Sequence, residues 1–232
     1  MYRMLVGVAL LIVGCQALAD SAWSNEVELG AVFTGGNTEQ ESVKFRFDTH
    51  RDSVGYTHTL HADAFRASEN DSNTAQKYYL SYRMGKKLSE DRGLFSRVAY
   101  EQDRFSGFDN QMDLTAGYNQ TFLATESMNL TADFGLGAKR SELDTGVAQT
   151  EMIGRLAGLY TWQVSSNALF RQALGFEIGE ELTTSRSETS LESSISGNLS
   201  MKLAFKVKHN SEVVPGKNKS DRESTVTLVY KF

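Results

Sequence analysis

Four histidines stand in the chain, His50, His58, His61 and His209, and histidine is the side chain that exchanges protons most readily near neutral pH. His61 precedes Asp63 by two residues. On a strand that spacing puts both side chains on one face, where the carboxylate could orient the imidazole as a general base. A hydrolase or acyltransferase would also need a nucleophile, and no serine motif of that kind accompanies the pair. His, Cys and carboxylates do not cluster at metal-ligand spacing, and no glycine-rich loop opens a helix to cradle phosphate. The sequence therefore assigns no catalytic residue, no metal ligand and no cofactor.

The other available chemistry is that of fixed charges repeated at every second residue. Lys44, Arg46, Arg83, Arg97, Glu101, Arg155, Arg171, Lys202 and Lys206 each fall on the polar face of an alternating stretch. Glu26, Glu28, Asp48, Asp63, Asp133, Glu151, Glu177 and Glu192 take equivalent positions. Turned inward in a closed sheet, such residues would line a polar lumen, either a narrow pore or a salt-bridged plug. Lys202, Lys206 and Lys208 form a row that attracts anions unless acids on neighbouring strands compensate it.

Strands must position these charges, because the apolar residues recur with a period of two. Residues 223–232 read E-S-T-V-T-L-V-Y-K-F. Val226, Leu228, Tyr230 and Phe232 thereby share a face opposite Thr225, Thr227 and Lys231. A strand that closes on an aromatic residue resembles the last strand of bacterial outer-membrane barrels, which makes Phe232 the candidate insertion signal. The same alternation recurs near 25–33, 43–49, 56–65, 78–85, 94–103, 112–122, 128–138, 152–162, 170–178, 191–199 and 201–208, giving twelve strands of about nine to eleven residues. Connections after even strands read as short. Those after odd strands read as longer, at 67–75, 104–110, 141–149, 181–187 and 211–220, with the Gly35-Gly36-Asn37-Thr38 turn as the exception. Even strand number, short inner turns and longer outer loops are the rules of a membrane barrel. Tyr56, Tyr100, Phe122, Tyr160, Trp162, Tyr230 and Phe232 near strand ends predict aromatic girdles.

Composition bounds the alternatives. A single proline, Pro215, lies in a polar stretch, so no strand carries a residue that would interrupt its ladder. The net charge of −5 comes from 24 basic and 29 acidic residues that are well mixed, which speaks against a nucleic-acid partner. After residue 19 no apolar run approaches the roughly 18 residues a membrane helix needs. Alternating strands escape that test, because polar residues dilute each one. Residues 1–19 read as a secretory signal, with Arg3 ahead of an apolar run and Ala17-Leu18-Ala19 before the cleavage point at Asp20. Ile12-Val13-Gly14-Cys15 competes as a lipobox, in which Cys15 would be the lipidated first residue. The adopted division is a signal peptide over 1–19 and a barrel over 20–232.

With these segments laid out, the chain resembles the YdiY-like family of salt-induced outer-membrane proteins. The resemblance rests on Gly30 and Thr34-Gly35-Gly36-Asn37-Thr38, on Glu101 with Asp103-Arg104-Phe105-Ser106-Gly107, and on the closing strand with Phe232. It implies an outer-membrane location and expression under salt stress, and supplies no catalytic or ligand residues. The lipobox is a departure that bears on sorting, not on the barrel. The expectation is an all-β protein, a 12-stranded antiparallel transmembrane β-barrel of the Gram-negative outer membrane, exported through the periplasm. Its partners would be outer-membrane lipid and lipopolysaccharide, with the insertion machinery engaging the closing strand. Its function would be that of a narrow channel for small hydrophilic solutes or ions. A plugged structural or adhesion barrel and, behind it, a lipid-modifying enzyme are the alternatives.

Overall fold

The computed structural model describes residues 23–34, 40–70, 72–104 and 106–232. The signal segment 1–19 with Cys15, the 35–38 turn and Phe105 lie outside them. Twelve strands follow one another in order: β1 Trp23–Thr34, β2 Gln40–Ser53, β3 Tyr56–Glu69, β4 Ser72–Lys87, β5 Arg92–Asp103 and β6 Phe108–Ala124. The second half continues with β7 Met128–Leu143, β8 Ala148–Ser165, β9 Ala168–Gly179, β10 Thr183–Ser196, β11 Leu199–Asn210 and β12 Ser220–Lys231. Each pairs antiparallel with its sequence neighbour, and β12 returns to β1 to close the ring. Closure is what alternation in lipid requires, since hydrocarbon offers an open sheet edge no hydrogen-bond partners.

The seam is short. Glu26, Val27, Glu28 and Leu29 of β1 pair with Lys231, Tyr230, Val229 and Leu228 of β12. Below them Phe232 completes the ladder by exchanging two backbone hydrogen bonds of 3.0 Å with Asn25, while its ring stacks on Tyr230 at 5.9 Å. The candidate insertion residue is thus also part of the closing seam.

The strands run longer than the sequence implies, from 12 to 18 residues. A 16-residue strand tilted by about 40° rises about 40 Å, well beyond the apolar band of roughly 25 Å. Most of the expected outer loops are accordingly strand. Residues 67–75 are ladder apart from the link between Glu69 and Ser72, and the stretches 104–110, 141–149 and 181–187 shrink in the same way. The physical reason is that outside the hydrocarbon both faces of a strand tolerate polar residues, so composition stops marking where pairing ends. Only the β11–β12 connection, residues 211–219, keeps its expected length. The β10–β11 turn falls at Gly197 and Asn198, where Gly197 takes a positive φ of 53°, so Leu199, read as the end of the tenth strand, opens β11.

The two faces are inverted relative to a soluble sheet. Leu136 and Met152 point outward at 72% exposure, alongside Leu80, Leu114, Leu203 and Val226. Among the described residues seven apolar side chains are buried against twenty polar or charged ones, so the core is the lumen and it is polar. The predicted aromatics lie on the outer face: Tyr56, Phe122, Trp162 and Tyr230 border the end that holds Trp23 and Phe232, and Tyr100 the other. Strands β6 and β7 leave no room for a side chain at two of their glycines. A Cβ on Gly117 would sit 2.0 Å from the Phe134 carbonyl oxygen, and one on Gly137 would sit 2.1 Å from that of Leu114. Gly117→Ala is therefore expected to cost at least about 1–3 kcal/mol through overpacking, read as a lower denaturant midpoint for loss of the compact, heat-modifiable band on gels.

Candidate functional site in the lumen

The inner wall carries two ion-pair networks, each built by residues that alternation turns inward. The first joins β1, β2 and β3 to β10, β11 and β12. Glu28 and Lys202, both 2% exposed, meet at 2.5 Å. Arg46 reaches Asp48 at 2.8 Å, Glu28 at 3.6 Å and Glu188 at 2.7 Å. Lys206 bonds Asp63 at 2.8 Å, and Lys44 holds Asp63 at 3.3 Å and Glu223 at 2.5 Å. Charges this deeply removed from water persist only when paired.

The second network crosses the barrel. Glu177 on β9 gathers Lys139 at 3.2 Å, Arg155 at 3.2 Å, Arg186 at 3.0 Å and Arg97 at 4.0 Å. Arg97 also pairs with Asp113 and donates to the Tyr79 hydroxyl. Glu101 on β5 accepts Arg186 at 2.7 Å and Lys208 at 2.5 Å. β5 and β11 stand six places apart in a ring of twelve, so the Glu101–Lys208 bond spans opposite walls. Arg83 forks onto Asp133 through Nε at 3.1 Å and Nη2 at 2.9 Å, with its guanidinium 5.1 Å from the centre of the buried Phe95 ring.

Between the networks lies a chamber of about 370 Å³, lined among others by His61, Tyr79, Arg97, Glu101, Arg155 and Glu188. On the side of the chamber nearer Trp23 and Phe232 the inner wall is accessible. Ala173 on its wall pairs with Leu159, which shares the inward parity of Ile153 and Arg155 yet is 39% exposed. At the opposite mouth the 211–219 connection lies across the opening. Val214 contacts the site of Gly107, six strands around the ring, and Val213, Val214 and Pro215 face Phe108, Leu143 and Leu182 around a space of about 430 Å³.

Lys44, Arg46, Arg97, Glu101, Arg155, Lys202 and Lys206 all enter these networks, and Arg83 joins β4 to β7 through Asp133. Arg171 stands apart from the two networks, facing Thr161 and Ser190 in register on the inner wall. Each lysine of the β11 row meets its own acid, Lys202 with Glu28, Lys206 with Asp63 and Lys208 with Glu101. The row is compensated. The His61–Asp63 pairing is corrected: the His61 Nδ1 lies 2.6 Å from Asp48 Oδ1 on the adjacent strand, because Asp63 is held by two lysines. His58, on the lipid face, meets the Tyr82 hydroxyl at 2.7 Å. Glu26, Glu28 and Asp48 bring carboxylate oxygens within 4.8 Å of one another, and Arg46 and Lys202 supply the cations there.

Lys77, Lys139 and Arg186 are lumenal cations that sequence reasoning missed. Lys139 follows directly on the stretch that ended at Ala138, and parity extended by one residue would have found it. Arg186 sits in 181–187, which reads as loop.

A closed ring of twelve antiparallel strands, apolar outside and ionic inside, defines an outer-membrane β-barrel. The chain belongs to the family described as protein of unknown function, DUF481, which matches residues 27–232. It is 30% identical to the uncharacterized protein YdiY of Escherichia coli (strain K12) over 219 residues, covering 93% of this chain and 86% of the relative. Its fold is similar to that of the NanC porin, with a TM-score of 0.51 and 12% identity over 89% of this chain and 97% of the porin. It is also similar to the translocator domain of the autotransporter NalP from Neisseria meningitidis, with a TM-score of 0.53 and 10% identity over 100% and 96% of the two chains.

Proposed function

We propose that the protein is a narrow outer-membrane channel for small hydrophilic solutes or ions, closed at rest by its own side chains. The observation that carries this reading is the nature of the obstruction. Among the described residues, the lumen is crossed by ion pairs between side chains, chiefly Glu101 with Arg186 and Lys208, and its far mouth is covered by the 211–219 connection. Side chains and one surface connection rearrange on timescales compatible with gating. A chain exported with residues 1–19 as signal, assembled through its closing strand among outer-membrane lipid and lipopolysaccharide, and produced under salt stress fits this role.

The enzyme alternative is weakened by placement. A lipid-modifying site belongs at the lipid face, where His58 has a tyrosine hydroxyl as its partner, whereas the His61–Asp48 pair faces the lumen.

The test is single-channel recording of the refolded, detergent-purified barrel in a planar bilayer. Discrete steps are expected, and Lys206→Ala, which leaves Asp63 and Glu188 short of a cation, is expected to move the reversal potential toward cation selectivity. Silence from protein shown to be folded would replace the channel by a plugged structural barrel.

A further inference from the structure

The charges of the second network do not balance. Five cations, Arg97, Lys139, Arg155, Arg186 and Lys208, share three carboxylates, Glu101, Asp113 and Glu177. Four of the five converge within 4.0 Å of the single Glu177 carboxylate. Arg155 is the least satisfied. It donates one hydrogen bond, from Nη1 to Glu177, and its buried Nε meets no acceptor, although a guanidinium carries five N–H donors. Arg155 and Arg97 both line the 370 Å³ chamber, with the Tyr79 ring beside them.

We infer that this chamber is a binding site for a small carboxylate, seated against Arg155 and Arg97. The inference deepens the channel reading above by naming its solute class. The excess is local to the wall that carries Arg97, Arg155 and Arg186, the facing wall bringing Asp63, Glu188 and Glu223 to the same chamber, and fixed positive charge held away from bulk water recruits a mobile anion. A planar guanidinium with free donors selects a carboxylate through paired, parallel hydrogen bonds. The chamber, at about 370 Å³, has room for a short dicarboxylate with water. The β11 lysines, the obvious anion stripe in the sequence, are poorer candidates because each already holds an acid.

The test is isothermal titration of the full refolded barrel in detergent with succinate, at constant ionic strength, alongside sulfate and the neutral isostere succinamide. Saturable binding of succinate is expected, with no binding of succinamide and weaker binding of sulfate. Arg155→Gln should weaken succinate at least about tenfold, whereas Arg171→Gln, which removes a cation elsewhere on the same wall, should leave it within a factor of about two. The ligand comparison stands even where Arg155→Gln does not refold. Absence of saturable succinate binding to folded protein overturns the site. So does sulfate binding as tight as succinate, or equal losses in the two arginine variants. Conductance is scored separately: binding without conduction retires the channel and keeps the site, and conduction without binding does the reverse.

Discussion

Glu101→Gln is expected to open the barrel and make it anion-selective. The carboxylate of Glu101 joins Arg186 at 2.7 Å and Lys208 at 2.5 Å from the opposite side of the ring. Glutamine keeps the shape and can accept a hydrogen bond, but it withdraws the charge that draws the two cations across the lumen. They are then expected to repel each other and fall back toward β10 and β11, leaving a cationic constriction in place of a bridge. Conductance in planar bilayers should rise several-fold, with the reversal potential moving toward the anion value. Stability should fall, because removing one partner of a buried pair leaves uncompensated charge at a cost of about 3–5 kcal/mol. The two effects separate in Glu101→Gln with Lys208→Met. Removing the orphaned lysine should recover part of the lost stability in urea unfolding, while conductance stays raised because the Glu101 bonds across the lumen are still missing. Conductance unchanged by Glu101→Gln would place the obstruction at the pairs of the first network, Arg46 with Glu188 and Lys206 with Asp63, or at the 211–219 connection.

How much of this was legible in the sequence depends on where a residue stands relative to the lipid. Within the apolar band, alternation is enforced, because every second residue must satisfy hydrocarbon. Leu130, Ala132, Phe134, Leu136 and Ala138 of β7 therefore announce the strand and, by parity, turn Asp133 inward. Beyond the band the constraint lapses, and with it the signal. The stretch Thr183–Ser190 offers no apolar residue on either face, so it reads as loop. In the structure it is the first half of β10. Its outward hydroxyls are satisfied laterally: Thr189 donates to Gln172 at 2.6 Å, and Gln172 donates to Ser187 at 3.1 Å. Arg186 was lost with that stretch, and with it the bond to Glu101.

Partner choice was illegible for a different reason. Parity says that Asp48, His61 and Asp63 face inward, but not which inward groups meet. His61 lies beside Asp63 in the sequence, yet Lys206, which bonds Asp63, stands 143 residues away. Ring closure brings β11 to within two strands of β1 and so supplies that partner. The capture of Asp63 by lysines leaves His61 to Asp48. Pairing across the lumen is a property of barrel circumference, which no single strand records.

Glu177→Gln is expected to cause the largest loss of stability of any single substitution in the lumen. Glu177 is 1% exposed and is the acid common to Lys139, Arg155, Arg186 and Arg97. Two of these cations have a second acid, Arg186 in Glu101 and Arg97 in Asp113. Lys139 keeps only the Thr184 hydroxyl at 2.8 Å, and Arg155 keeps nothing comparable. The loss should therefore reach at least the upper part of the range of about 3–5 kcal/mol that applies to breaking one buried pair, and refolding yield should drop with it. Removing charge from the cationic side tests the cause. Lys139→Met in the Glu177→Gln background should restore stability, because a buried ammonium left without its carboxylate is replaced by an apolar chain of similar length. The same Lys139→Met in the wild type should cost far less than Glu177→Gln, since three cations still surround Glu177. Equal losses for the two single variants would mean that the network is held by individual pairs, and that the cationic excess assigned to this wall does not exist.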